Sequence, residues 1–103
     1  MAEYKRVHRE GKYVHLPVFL QDATQRIDDY YEDAIKQAKD KAYVGMLDAY
    51  GMARSIIANM SHVAQLFREA NQVTQQQRVE WENLVDRLTK QAMKKITEVL
   101  GKG

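Results

Sequence analysis

Cysteine is missing from this chain of 103 residues, which removes disulfide frameworks, thiolate nucleophiles and zinc-thiolate sites together. Proline occurs once, at Pro17, and only two of the five glycines, Gly45 and Gly51, fall within residues 22–100. A stretch of that length with so few helix breakers is helix-permissive throughout. Nowhere do 18 apolar residues run together, so no membrane-spanning helix is expected, and the first residues, Met1-Ala-Glu-Tyr-Lys-Arg6, lack the apolar segment of a secretory leader. The expected location is the cytoplasm, with no membrane association. Neither sign of charge dominates: 16 Lys and Arg stand against 14 Asp and Glu, and the net charge of +2 is too mild to demand a nucleic-acid partner by itself.

The composition that remains is that of a folded protein, with 45% hydrophobic and 29% charged residues. One domain is expected, near the lower end of what can bury a self-sufficient core. Long helices with few loops leave much apolar surface uncovered, so self-association, as a dimer or higher homo-oligomer, is expected. Charge is also unevenly placed. Lys5, Arg6, Arg9 and Lys12 make the start basic, whereas Asp22, Asp28, Asp29, Glu32, Asp33 and Asp40 outweigh Arg26, Lys36 and Lys39 in the next segment.

Pro17 separates two regimes. Before it, Tyr4-Lys-Arg-Val-His8 and Lys12-Tyr-Val-His-Leu16 flank Arg9-Glu-Gly11, the arrangement of two short strands about a turn. Val14, Leu16, Val18 and Leu20 then alternate at period two, as an extended segment with one apolar face would. Residues 1–21 therefore read as an extended basic arm or small hairpin. A helical domain over residues 22–100 follows, opened by Asp22-Ala-Thr-Gln25, which has capping-box spacing. Tyr31, Ile35, Ala38, Ala42, Gly45, Ala49, Met52 and Ile56 keep helical spacing, yet an unbroken helix from residue 22 to residue 70 would be roughly 73 Å long. A break or bend is expected near residues 40–45. Residues 46–67 carry two adjacent apolar seams. One is Met46, Tyr50, Ala53, Ile57, Met60, Ala64 and Phe67; the other is Ala49, Met52, Ile56, Val63, Leu66 and Ala70. Two seams predict a helix covered on a broad arc, hence the central helix, with Met60 and Phe67 in its core. Thr74-Gln-Gln-Gln77 is a second capping box, and Trp81, Val85, Leu88, Ala92, Ile96 and Val99 line one face of the last helix. Residues 101–103 are expected to fray. The fold class is all-α: an antiparallel bundle of two to three long helices with an extended N-terminal arm, oligomeric.

Few residues are arranged for chemistry. His8, His15 and His62 have no ligand pattern around them, and no nucleophile stands near a base at a recognisable spacing. No catalytic, metal or cofactor site is expected. Three surfaces remain. Lys5, Arg6, Arg9 and Lys12, interleaved with Tyr4 and Tyr13, combine phosphate-binding charge with rings for stacking and are candidate nucleic-acid contacts. Asp28, Asp29, Tyr30, Glu32 and Asp33 form a candidate docking patch, whose acids also suit the first turns of a helix beginning at Asp22. Ala38, Ala42, Gly45 and Ala49 form a strip of small residues that lets two helices approach closely, either within the chain or between subunits.

Two partial likenesses follow from these segments. Residues 12–29, a basic extended stretch running through Val14-His-Leu-Pro17 into a helix, resemble the start of a ribbon-helix-helix DNA binder, whose second helix is much shorter than the apolar periodicity here. Tyr43-Val-Gly45 resembles the Trp-x-Gly turn of small type VII secretion substrates, without its tryptophan. The function expected is a non-enzymatic protein–protein interaction module: an accessory subunit, adaptor or inhibitor of a larger complex. The alternatives are nucleic-acid binding through the basic arm, and a small helical-hairpin protein secreted without a signal peptide.

Overall fold

The computed structural model describes residues 16–102, which form three α-helices: α1 (Val18–Lys39), α2 (Tyr43–Glu69) and α3 (Gln75–Gly101). No strand occurs among the described residues. Residues 1–15, most of the expected arm, lie outside them. The end of that arm is not extended: α1 begins one turn before Asp22, with Pro17 at its N-cap and the Pro17 carbonyl accepting from the amides of Leu20 and Gln21, both at 2.9 Å. The period-two reading of Leu16, Val18 and Leu20 is overridden by the helical series Leu16, Leu20, Thr24, Ile27 and Tyr31, all of which are buried. The capping box expected at Asp22 does not form, because Asp22 lies inside the helix and the Gln25 amide turns instead to Asp29 Oδ1 at 3.0 Å.

Both connections are tight turns of one kind. At the first, the amide of Lys41 donates to Ala38 O (3.0 Å) and that of Ala42 to Gln37 O (2.9 Å); at the second, Asn71 donates to Arg68 O (3.0 Å) and Gln72 to Phe67 O (2.7 Å). This is the pairing of a Schellman motif, which requires a left-handed residue just past the helix end. Lys41 and Asn71 take that role, each with φ 62°. The expected break near residues 40–45 is therefore present, and it falls at Lys41 rather than at a glycine. The second capping box is present in full: Gln77 N donates to Thr74 Oγ1 and Thr74 N to Gln77 Oε1, both at 3.0 Å.

The helices run up, down and up. Phe19 meets Phe67 edge-on, with ring centroids 4.5 Å apart, and Tyr31 meets Tyr50 at 5.5 Å, so α2 lies antiparallel to α1. Trp81 bonds Thr24 and Thr89 bonds Tyr31, so α3 runs parallel to α1. The centre of the bundle is α1, which contacts both neighbours along its length, while α2 and α3 touch only briefly. That corrects the expectation for residues 46–67: α2 buries only Ala49, Ala53 and Ala64. The core consists mainly of Leu20, Ile27, Tyr31, Ala53, Ala64, Trp81, Val85 and Ala92, with a smaller cluster of Ala34, Ala38, Ala49 and Ile96.

Candidate interaction surface

Two buried polar links fix the register of α1 against α3. The Trp81 indole N–H donates to Thr24 Oγ1 at 2.9 Å, and the Thr24 hydroxyl donates onward to the Leu20 carbonyl at 2.7 Å. In mirror fashion Thr89 donates to the Val85 carbonyl at 2.9 Å, which leaves its oxygen to accept the Tyr31 hydroxyl at 2.7 Å. Each threonine hydroxyl thus both donates and accepts, and no polar atom of either link is stranded in the core. Each of these groups is held by a partner inside the core.

The expected surface residues are dispersed. Asp28 is buried and Asp29 and Tyr30 half-buried, whereas Glu32 and Asp33 are exposed. With α1 starting at Val18, all five sit well beyond the first turn, so the helix dipole does not account for their acids. The small-residue strip is largely used within the chain: Ala38 and Ala49 are buried between α1 and α2, and a Cβ placed on Gly45 would come within 2.7 Å of Gln37 Oε1. Ala42 is exposed in the turn. Lys5, Arg6, Arg9 and Lys12 lie outside the described residues, as do His8 and His15. His62 is exposed on α2. No group of three or more metal-binding side chains occurs among the described residues, and no described helix is long and apolar enough to cross a membrane.

What the fold leaves open is a face of α2 that coincides with neither of its two apolar seams. The first seam packs toward α1, with Ala53 and Ala64 buried and Tyr50, Ile57 and Met60 partly so. Beyond it, Val44 is 75% exposed, Leu47 63%, Met52 47% and Leu66 63%. Between these lie Gly51, Ser55, Ala58 and His62, all exposed but for the partial cover of neighbours at Ile56 and Ile57. A Cβ on Gly51 would meet nothing within 4 Å. Val44, Gly51, Ser55, Ala58, His62 and Leu66 follow one another at three, four or seven residues and so share one helix face. Of the second seam, Ala49 is buried, Ile56 packs against the core and Val63 is half-buried, so only Met52, Leu66 and Ala70 are exposed, and the open face shares just Met52 and Leu66 with it.

A second feature is basic. Lys36, Lys39 and Lys95 line a shallow cleft with Glu32 and Ile35 at the end of the bundle where α1 and α3 finish, and Lys39, Lys41 and Lys102 line its neighbour with Tyr43 and Val99. Lys36 and Lys39 in the last turn of α1 and Lys102 at the C-cap of α3 also oppose the negative ends of the helix dipoles.

The fold defines the class: an up-down-up three-helix bundle, with Val44, Leu47, Met52 and Leu66 exposed along α2. Comparison with protein-family models, with curated proteins and with solved structures finds no match.

Proposed function

We propose that the protein is a non-enzymatic, self-associating interaction module whose working surface is the open face of α2. The observation that carries this reading is the exposure of Val44, Leu47, Met52 and Leu66 along a single helix whose opposite face is already packed. Scattered apolar residues are ordinary on a protein surface, but exposed aliphatics at both ends of one helix face, with small residues between them, suit cover by a partner helix. Roles as an accessory subunit, an adaptor or an inhibitor of a larger complex all use such a surface.

The test is site-specific photo-cross-linking. A benzophenone side chain at Ala58, on the open face, is expected to give covalent protein adducts, and the same group at Lys94, on the exposed side of α3, is not. No adduct from Ala58, or equal yields from both sites, overturns the reading.

A second reading, nucleic-acid binding, is favoured by the run of lysines at the C-terminal ends of α1 and α3 together with Lys5, Arg6, Arg9 and Lys12 in the basic arm. Under it, affinity for single- or double-stranded DNA or RNA falls steeply with salt, and Lys36→Glu with Lys39→Glu weakens binding without changing helicity. Affinity that is independent of salt removes this reading.

A further inference from the structure

We infer that the partner of the open α2 face is a second copy of the same chain, paired antiparallel about a two-fold axis at Ser55; this rests on the reading of that face as an interaction surface. The sequence along the face is self-complementary. Val44 and Leu66 lie at equal distances before and after Ser55, as do Asp48 and His62, and as do Gly51 and Asn59. Antiparallel pairing centred there sets Val44 against Leu66 of the second copy at both ends, so each exposed aliphatic side chain meets another. It also sets the Asp48 carboxylate against the His62 imidazole of the second copy, where an N–H of the ring donates to the carboxylate oxygen.

In the middle of the face this register sets small residues against larger ones, Gly51 against Asn59 and Ala58 against Met52 of the second copy, with Ser55 at the axis. Gly51, Ser55 and Ala58 let two backbones approach closely, and the open space above Gly51 is where the second helix would lie. Leu47 and Met52 flank this centre on its two sides and close over the contact. Parallel pairing loses these matches: Asp48 would face Asp48, a like-charge contact, and no register would join Val44 to Leu66. Charge and shape thus select one orientation. A contact over most of α2 covers on the order of 1,200 Å² in total, at the lower limit of specific interfaces, where weak and transient pairings are found.

The absence of cysteine makes the test direct, since any thiol introduced is the only one in the chain. Under mild oxidation, Ser55→Cys is expected to form a disulfide-linked dimer, because that position meets itself at the axis. Val44→Cys alone and Leu66→Cys alone are expected to stay monomeric on a non-reducing gel, while an equimolar mixture of the two yields the linked pair. Ala58→Arg in the Ser55→Cys chain is expected to reduce the linked fraction roughly 10-fold or more, with helicity unchanged because Ala58 is exposed in the monomer. Ready linkage of Val44→Cys by itself would overturn the antiparallel arrangement. Absence of linkage at Ser55 and in the mixture, together with photo-adducts from Ala58 to a different protein, would overturn self-pairing and leave the interaction surface intact. Absence of both linkage and adducts would overturn both.

Discussion

Replacing Thr24 by valine tests whether the polar links, as well as apolar burial, hold α3 in place. Thr24 and Trp81 are fully buried, and the indole N–H donates to Thr24 Oγ1 at 2.9 Å. Valine matches threonine in volume and, closely, in helix propensity, so neither a cavity nor a propensity change complicates the result. What changes is that a buried N–H loses its acceptor, at a cost of about 1–3 kcal/mol. A loss of about 2 kcal/mol would lower the melting temperature by roughly 10 °C for a domain of this size. Trp81→Phe removes the donor instead, and in the double variant nothing remains unpaired. The double variant is expected to be less destabilised than the sum of the two singles, by about 1 kcal/mol or more. Urea unfolding followed by far-ultraviolet circular dichroism gives all three values. Carrying Ala58→Arg throughout keeps association from contributing to apparent stability. Thr24→Val within about 0.5 kcal/mol of the parent, or strict additivity in the double variant, would refute the reasoning.

Other expectations follow from the same geometry. Tyr31→Phe deletes the donor to Thr89 but leaves the Thr89 hydroxyl bonded to Val85, so it should cost only about 1 kcal/mol in the same assay. Thr74→Ala breaks the intact capping box and should cost about 1 kcal/mol, read by thermal unfolding. Gly51→Ala meets no neighbouring atom and should stabilise the monomer by up to about 1 kcal/mol, while thickening the centre of the open face and weakening association in sedimentation equilibrium. Lys41→Gly relieves a left-handed lysine in the first turn and should raise the melting temperature, the more so because the turn keeps both of its amide bonds.

Much of the fold was written in spacing. The last helix, with its capping box at Thr74 and its buried face of Trp81, Val85, Ala92 and Ile96, could be read directly because local signals and packing agree there. The turn at residues 40–42 was legible only as an interval, since lysine at the left-handed position carries no sequence cue, whereas Asn71 at the equivalent place does. The start of α1 is ambiguous in sequence because Leu16 and Leu20 fit a period of two as well as the four-residue spacing of a helix face, and Asp22 offers an attractive but false cap. Rank among the helices was also hidden. Apolar content marks residues 46–67 as the most hydrophobic segment, yet burial depends on how many neighbours a helix has, and α1 has two. That mismatch between an apolar sequence and an exposed position is what singles out the α2 face.

The most direct measurement is the mass of the purified protein by light scattering across a dilution series into the low micromolar range. The account predicts a mass approaching twice the 12.0 kDa of the chain at high concentration, falling toward one chain on dilution, and staying at one chain throughout for Ala58→Arg. A constant 12.0 kDa for the unaltered protein at every concentration, or a dimer that Ala58→Arg leaves untouched, would contradict it.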